Sequence, residues 1–177
     1  MRVGSSADAI ALLVELGAPP RLVRHHELVL EAADLLLERL ARLRQHARFD
    51  REHVLLGVAL HDAGKIRHPN EMHIPGHDHE RAGRQLLLDR GVPPDIARFC
   101  VTHASWEDHE ERTLEDLLVA LADKLWKGKR EESLEARILA VLASNSGREH
   151  WELFSELDAI CEEIASDGPA RLERSAV

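Results

Sequence analysis

Between Leu22 and Leu43 apolar residues return every three or four positions, through Val29, Ala32, Ala33, Leu36 and Leu40, while Arg and Glu fill the opposite side. That spacing follows the 3.6-residue turn of an α-helix and cannot serve a strand, whose faces alternate every second residue. The same period recurs along the 177 residues, and no run of alternating β-branched residues interrupts it. The chain therefore reads as all-α, one domain over residues 1–177 built as a bundle of about seven to eight helices. Its core is expected over about 20–130, with C-terminal helices over 131–166 packing on it and a frayed tail from 167 to 177.

Capping signals divide the bundle. Ser5 and Asp8 stand at capping spacing before a short apolar helix that Gly17 and Pro19-Pro20 end. A long helix then runs to about His46, with His25 inside its apolar stripe. Asp50 can cap a third helix through Val54, Leu55 and Val58 to His61-Asp62, where Gly64 marks an exit. From His68 to Asp78 the text HPNEMHIPGHD has no apolar period and reads as a loop. Helical pattern resumes from His79 to Gly91, again after Pro93-Pro94, and again after the Thr113/Asp116 capping pair. The stretch Leu117 to Ala122 is apolar on every side, so its helix should be central and buried. Outer segments follow at about 133–144 and 149–165.

With 44% hydrophobic and 31% charged residues, the chain is globular in composition rather than disordered. Its formal net charge of -9 excludes extended binding to nucleic acid and gives no attraction to an anionic membrane. No apolar run reaches the ~20 residues of a membrane span, and the first residues lack a signal-peptide pattern, so a cytoplasmic location is expected. Cys100 and Cys161 are the only cysteines and do not form a CxxC pair. Any metal would therefore be held by nitrogen and oxygen.

Histidine is abundant, twelve residues, with five between positions 61 and 79. Five separate helices place His or Asp on or beside an apolar stripe: His25, His61 with Asp62, His79, His103 and Asp123. A lone histidine in such a stripe is more often a hydrogen-bonded core residue than a ligand. Four imidazoles and two carboxylates are harder to accommodate singly, because each unpaired buried polar group costs ~1 to 3 kcal/mol. Convergence on one or two divalent cations would satisfy them all, and imidazole with carboxylate suits Mn, Fe, Co, Ni, Zn or Mg. Paired ions about 3.5 to 4 Å apart are suited to phosphoryl displacement.

The order His25, His61-Asp62, Asp123, with HDAGK at 61–65 and ADKL at 122–125, resembles the HD-domain metal-dependent phosphohydrolase superfamily. The resemblance spans about residues 20–130 and implies a helical bundle with a metal among His25, His61, Asp62 and Asp123. His79, in HERAG, and His103, in VTHAS, match positions where dinuclear members hold a second ion. His26 adjoins His25, and the pattern alone leaves open which of the two is the ligand. The resemblance further implies that Asp62 is catalytic, bridging or orienting the nucleophile, and that Lys65 contacts substrate phosphate.

The expected activity is therefore that of a phosphoric ester hydrolase, cleaving a phosphomonoester or cyclic phosphodiester of a nucleotide or nucleic-acid end with a metal-activated water. The text LVALADKLWKGKR also resembles modules of bacterial RNA end-healing systems. Candidate substrate contacts are Lys65, Lys124, Lys127 and Arg130 near Trp126, the loop residues His73 and His77, and Trp106, which either lines the pocket or packs as core. Solvated charge explains the basic run and the loop histidines equally simply. Two other classes share the ligand set: an HD-type di-iron oxygenase, disfavoured by the absence of tyrosine, and a non-catalytic metal or nucleotide sensor. The outer segment 149–165 is a candidate homodimer surface.

Overall fold

The computed structural model describes residues 3–43, 48–107, 112–146 and 149–176, and among them the structure is all-helical. Ser5 accepts a hydrogen bond from the Asp8 amide at 3.2 Å and opens α1 (Ser6–Glu15). Pro20 stands in the first turn of α2 (Pro20–Arg42), where its missing N–H costs nothing. Residues 44–47, in which the sequence reading ends this helix, lie outside the described residues. Asp50 accepts from the His53 amide at 3.0 Å and caps α3 (Arg51–Leu60).

A first 3-10 turn, Ala63–Ile66, follows α3, and the segment read as a loop from His68 to Asp78 carries a second, Pro69–Met72, ahead of α4 (Asp78–Asp89). After Pro93-Pro94 the expected helix is split into two one-turn pieces, α5 (Pro94–Ala97) and α6 (Phe99–Thr102). The Thr113/Asp116 pair makes the full reciprocal capping box of α7 (Leu114–Leu125). The bundle closes with α8 (Glu132–Ser146), α9 (His150–Ser166) and α10 (Gly168–Arg174).

α7 is the central helix, buried from Leu117 to Asp123, and α2, α3, α8 and α9 pack around it. On α2 the fully buried residues include His26, Val29, Ala33, Leu36, Leu37 and Leu40. Each such leucine contributes about 1.5 to 3 kcal/mol through burial. The stripe read in the sequence is thus the buried one from Leu22 to Leu40, and it differs at one position: His26 enters the core and His25 sits at its margin.

The tail is not frayed through its length. α10 is held against α2 because Arg171, 1% exposed, donates to the Ile164 carbonyl at 2.8 Å and pairs with Glu31 at 3.2 Å. Arg174 also grips Glu31, at 2.7 and 2.8 Å, and its carbonyl accepts from Arg24 at 3.0 Å. Hydrogen bonding from Arg174, opposed by some burial and aided by Arg171, holds the Glu31 carboxyl below its usual value. The stabilisation is therefore present above the ordinary carboxylate range, ~4.3, and is lost as pH falls through the lower folded value. Glu31→Gln should accordingly speed amide exchange in residues 168–174 at neutral pH while leaving α7 protected, and the difference from the parent should shrink on acidification. Equal exchange of the two proteins at neutral pH would refute the tether.

Candidate metal centre

α3 ends just before the His61-Asp62 doublet, and this ending lets both residues face one centre. His61 keeps helical φ/ψ, Asp62 leaves them at φ -102°, ψ 14°, and the chain tightens into the first 3-10 turn. Carbonyls in the last turn of a helix lack intrahelical partners. The Val58 carbonyl lies 2.8 Å from His61 Nδ1 and 3.0 Å from His26 Nδ1. Because a carbonyl only accepts, these contacts place the proton of each ring on Nδ1 and leave Nε2 as a lone-pair donor.

The same logic applies to the other two buried rings. His103 Nδ1 donates to the Phe99 carbonyl at 2.9 Å, and His79 Nδ1 pairs with Glu71. Glu71 also accepts from the amides of Asp78 and His79, each at 3.2 Å. It was not singled out in the sequence, where it stands in a stretch without periodicity. A glutamate shortly before a candidate histidine ligand is a weak signal, and only the fold brings it onto the ring.

Asp62 stands at the middle and its two oxygens face different neighbours. Oδ2 lies 3.2 Å from His25 Nε2, 3.7 Å from His61 Nε2 and 2.6 Å from Lys65 Nζ. Oδ1 lies 3.1 Å from His79 Nε2 and 3.6 Å from His103 Nε2. Asp123 completes the first group, its Oδ1 lying 3.5 Å from His61 Nε2 and 3.9 Å from His25 Nε2. Two sets, His25 with His61 and Asp123, and His61 with Asp62 and His103, are close enough to hold a metal ion.

These residues fit a cation. Asp62 Oδ1 and His79 Nε2 are both buried and approach to 3.1 Å, yet neither makes a hydrogen bond. With the His79 proton directed to Glu71, a lone pair would face a carboxylate oxygen, an arrangement that a positive charge between them relieves. The donor set, imidazole and carboxylate only, suits the borderline and hard divalent ions.

Electrostatics around the cluster show carboxylates that draw positive charge: against burial, Asp62 with Asp123 raises the His61 pKa, and Asp62 with Glu71 raises that of His79. Burial opposes ionisation of Asp62, but His61, His25, His79 and Lys65 outweigh it and hold the carboxyl well below its usual range. Burial likewise opposes ionisation of Asp123, and His61, Lys127 and His25 overcome it, so this carboxyl too is strongly depressed. Burial, reinforced by His61, pushes His103 down to about 4, leaving the ring neutral and able to donate its lone pair.

His25, not His26, faces this centre, which answers the choice the sequence left open. The His26 ring is wholly buried, with burial first and its histidine neighbours second pushing its pKa well below the usual value. It serves as packing, edge-on to His61 at 4.9 Å between ring centres.

A cavity of about 360 Å³ opens onto the centre, lined by His25, Asp62, His79, His103 and Asp123 on the floor and by Lys65 and Lys127 among the residues above. Lys127 reaches to 3.7 Å from Asp123, and Lys124 to 3.8 Å, although Lys124 does not line the cavity. The remaining expected contacts fall elsewhere. Arg130 lies between α8 and α9, where Glu135, Asp158 and Glu162 bind it at 2.6 to 3.0 Å and the first two raise its pKa, a structural role. Trp106 is core, 6% exposed, because the chain after α6 turns inward and its carbonyl accepts from Arg137. His77 projects into solvent beside Glu80, and His73 is exposed, 3.4 Å from Arg21, so neither lines the cavity.

Residues 22–142 match the family model of the HD domain. The match covers well over half of the chain, and the chain belongs to the HD domain family, whose members are mostly metal-dependent hydrolases. No solved structure matches it. Among the described residues, no helix is long and apolar enough to cross a membrane.

Glu71 is expected to matter through His79. Glu71→Gln should weaken metal retention by roughly 10- to 100-fold, the usual scale for a partner that orients a ligating histidine. Metal content after dialysis against a chelator series measures it, and retention equal to the parent would show that His79 needs no such support.

Proposed function

We propose that this protein is a metal-dependent phosphohydrolase that cleaves a phosphoester of a small molecule, with a nucleotide or a nucleic-acid end as the substrate class, using a metal-activated water. The observation that carries this reading is the two-faced Asp62, with one oxygen turned to His25 and His61 and the other to His79 and His103, beneath a cavity rimmed by lysines.

His25, His61, Asp62 and Asp123 would hold one divalent ion, and His79 and His103 with Asp62 a second. When bound, such ions lower the pKa of water and offset charge that develops on phosphoryl oxygens. The chain's own contributions are positional and electrostatic. The Nδ1–H bonds to Val58, Phe99 and Glu71 fix the ring orientations of His61, His103 and His79, so little reorganisation accompanies reaction. Lys65 Nζ, 2.6 Å from Asp62, and Lys127 place two cations above the floor, where a dianionic phosphate would be met. Burial of His61, Asp62, His79 and His103 strengthens the electrostatic interactions at the floor.

Phosphate release should be measured from nucleoside monophosphates, cyclic nucleotides and phosphate-ended oligonucleotides, with protein stripped of metal and reloaded separately with Mn, Co, Ni, Zn, Mg and Fe. Metal-dependent release supports the proposal, and Lys65→Ala should lower rate or affinity while metal content stays at the parent level. Silence across the panel with metal bound would overturn it.

A further inference from the structure

The match to the HD family ends at residue 142, yet the cavity is completed by residues beyond it: Leu172 and Ser175, on and just after α10. Leu172 is 45% exposed, a large apolar side chain at the cavity lip. The same cavity is lined by Leu22 and Met72, and by Trp126, whose ring stands edge-on to His25 at 5.0 Å between centres. The floor and the cations Arg21, Lys65 and Lys127 are suited to an anion, whereas this apolar wall offers nothing to one. α10 is not a loose flap, since Arg171 and Arg174 tie it to Glu31 and Arg24.

We infer that α10 is a specificity wall, with Leu172 as the specificity-determining residue, and that the ligand is a phosphomonoester whose non-phosphate part is an apolar or aromatic group packed against Leu172. The inference rests on the phosphohydrolase reading of the same site. The phosphate lies toward Lys65 and the centre, and the ring system points toward α10. Contact of a ring with this wall removes apolar surface of both from water, so an aryl ester binds more tightly than inorganic phosphate. The size of the cavity, about 360 Å³, lies at the small end of the range for small-molecule sites.

The test uses the full chain loaded with metal and compares phenylphosphonate, which has no cleavable ester, with inorganic phosphate by titration calorimetry, with hydrolysis of phenyl phosphate followed in parallel. The parent should prefer phenylphosphonate by about tenfold, the ratio that corresponds to partial burial of one ring. Leu172→Ser should reduce that ratio to near one while inorganic phosphate affinity, metal content and the unfolding temperature stay at parent values. Leu172→Phe should restore the ratio, and Glu173→Ala, exposed on the same helix, should leave it unchanged. Equal affinity of the parent for the two ligands, absence of binding, or an undiminished ratio in Leu172→Ser would each overturn the wall. Preferential binding without hydrolysis would leave the wall standing and refute the phosphohydrolase reading instead.

Discussion

Replacing Asp62 by Ala is expected to abolish both metal uptake and turnover. One carboxylate faces all four histidines of the centre, so its removal strips a shared anion from both groups at once. Turnover should fall by at least about 10²- to 10³-fold, the scale on which loss of one fixed electrostatic stabiliser is felt in an active site. The fold should persist, since Asp62 is paired with the centre and with Lys65 rather than with the apolar core. Thermal unfolding separates these effects. For the parent, a divalent ion at 100 times its Kd adds about 2.7 kcal/mol, which is about 5 to 10 °C for a domain of this size. For Asp62→Ala the unfolding temperatures with and without metal should coincide. A variant that keeps both the metal-dependent shift and activity would remove Asp62 from the centre.

Among the described glycines, Gly64→Ala is expected to be the most damaging substitution by alanine. An added Cβ would fall 1.8 Å from the His79 carbonyl oxygen and 2.6 Å from the Gly83 amide nitrogen. Both are backbone atoms, so no side chain can rotate away, and the first 3-10 turn must separate from α4. Overpacking of this kind costs roughly 1 to 3 kcal/mol and occasionally more, a large part of the ~5 to 15 kcal/mol that keeps a domain folded. The damage reaches the centre as well, because Asp62 lies two residues before Gly64 and His79 supplies the obstructing carbonyl. The unfolding temperature should drop by about 4 to 10 °C, with metal affinity reduced in the folded fraction. Gly17→Ala is the control: its left-handed φ of 84° strains the turn, but nothing crowds its Cβ and it does not line the cavity. A Gly64→Ala protein as stable as the parent would show that the two backbones do not meet so closely.

Gly64 also illustrates what a sequence can and cannot reveal. Its position after the doublet marked the end of α3 correctly, but the reason for glycine there is close packing against Gly83, not a left-handed backbone, and packing partners nineteen residues apart leave no periodic trace. The helices themselves were legible because caps such as Asp50 and Thr113 act locally and apolar spacing repeats. The six residues at the centre were legible for a related reason: each stands on or beside an apolar stripe. His26 adjoins one too, and only the packing of α2 decides that it is core while His25 faces the cavity. Arg130 and Trp106 were read from composition of a short stretch, which fixes charge and bulk but not direction. α10 opens on the Gly168-Pro169 pair, which reads as a terminus; its anchor, Arg171 on Glu31, spans 140 residues and lies beyond any local pattern.

That span bears on the order in which the molecule assembles. The bond from Arg24 to the Arg174 carbonyl closes a loop of 150 residues, and closure entropy rises with the logarithm of loop length. Contacts so distant in sequence form late, after the locally connected pairs α2–α3 and α7–α8 have supplied a surface to receive them. During synthesis a chain can thus enclose its histidines and carboxylates before residues 168–176 have emerged, and would do so with one side of the mouth still missing. Docking of this short helix rests on the buried Arg171 and on its ion pairs with Glu31, so the local stability of the mouth is set by a few polar contacts rather than by the apolar core.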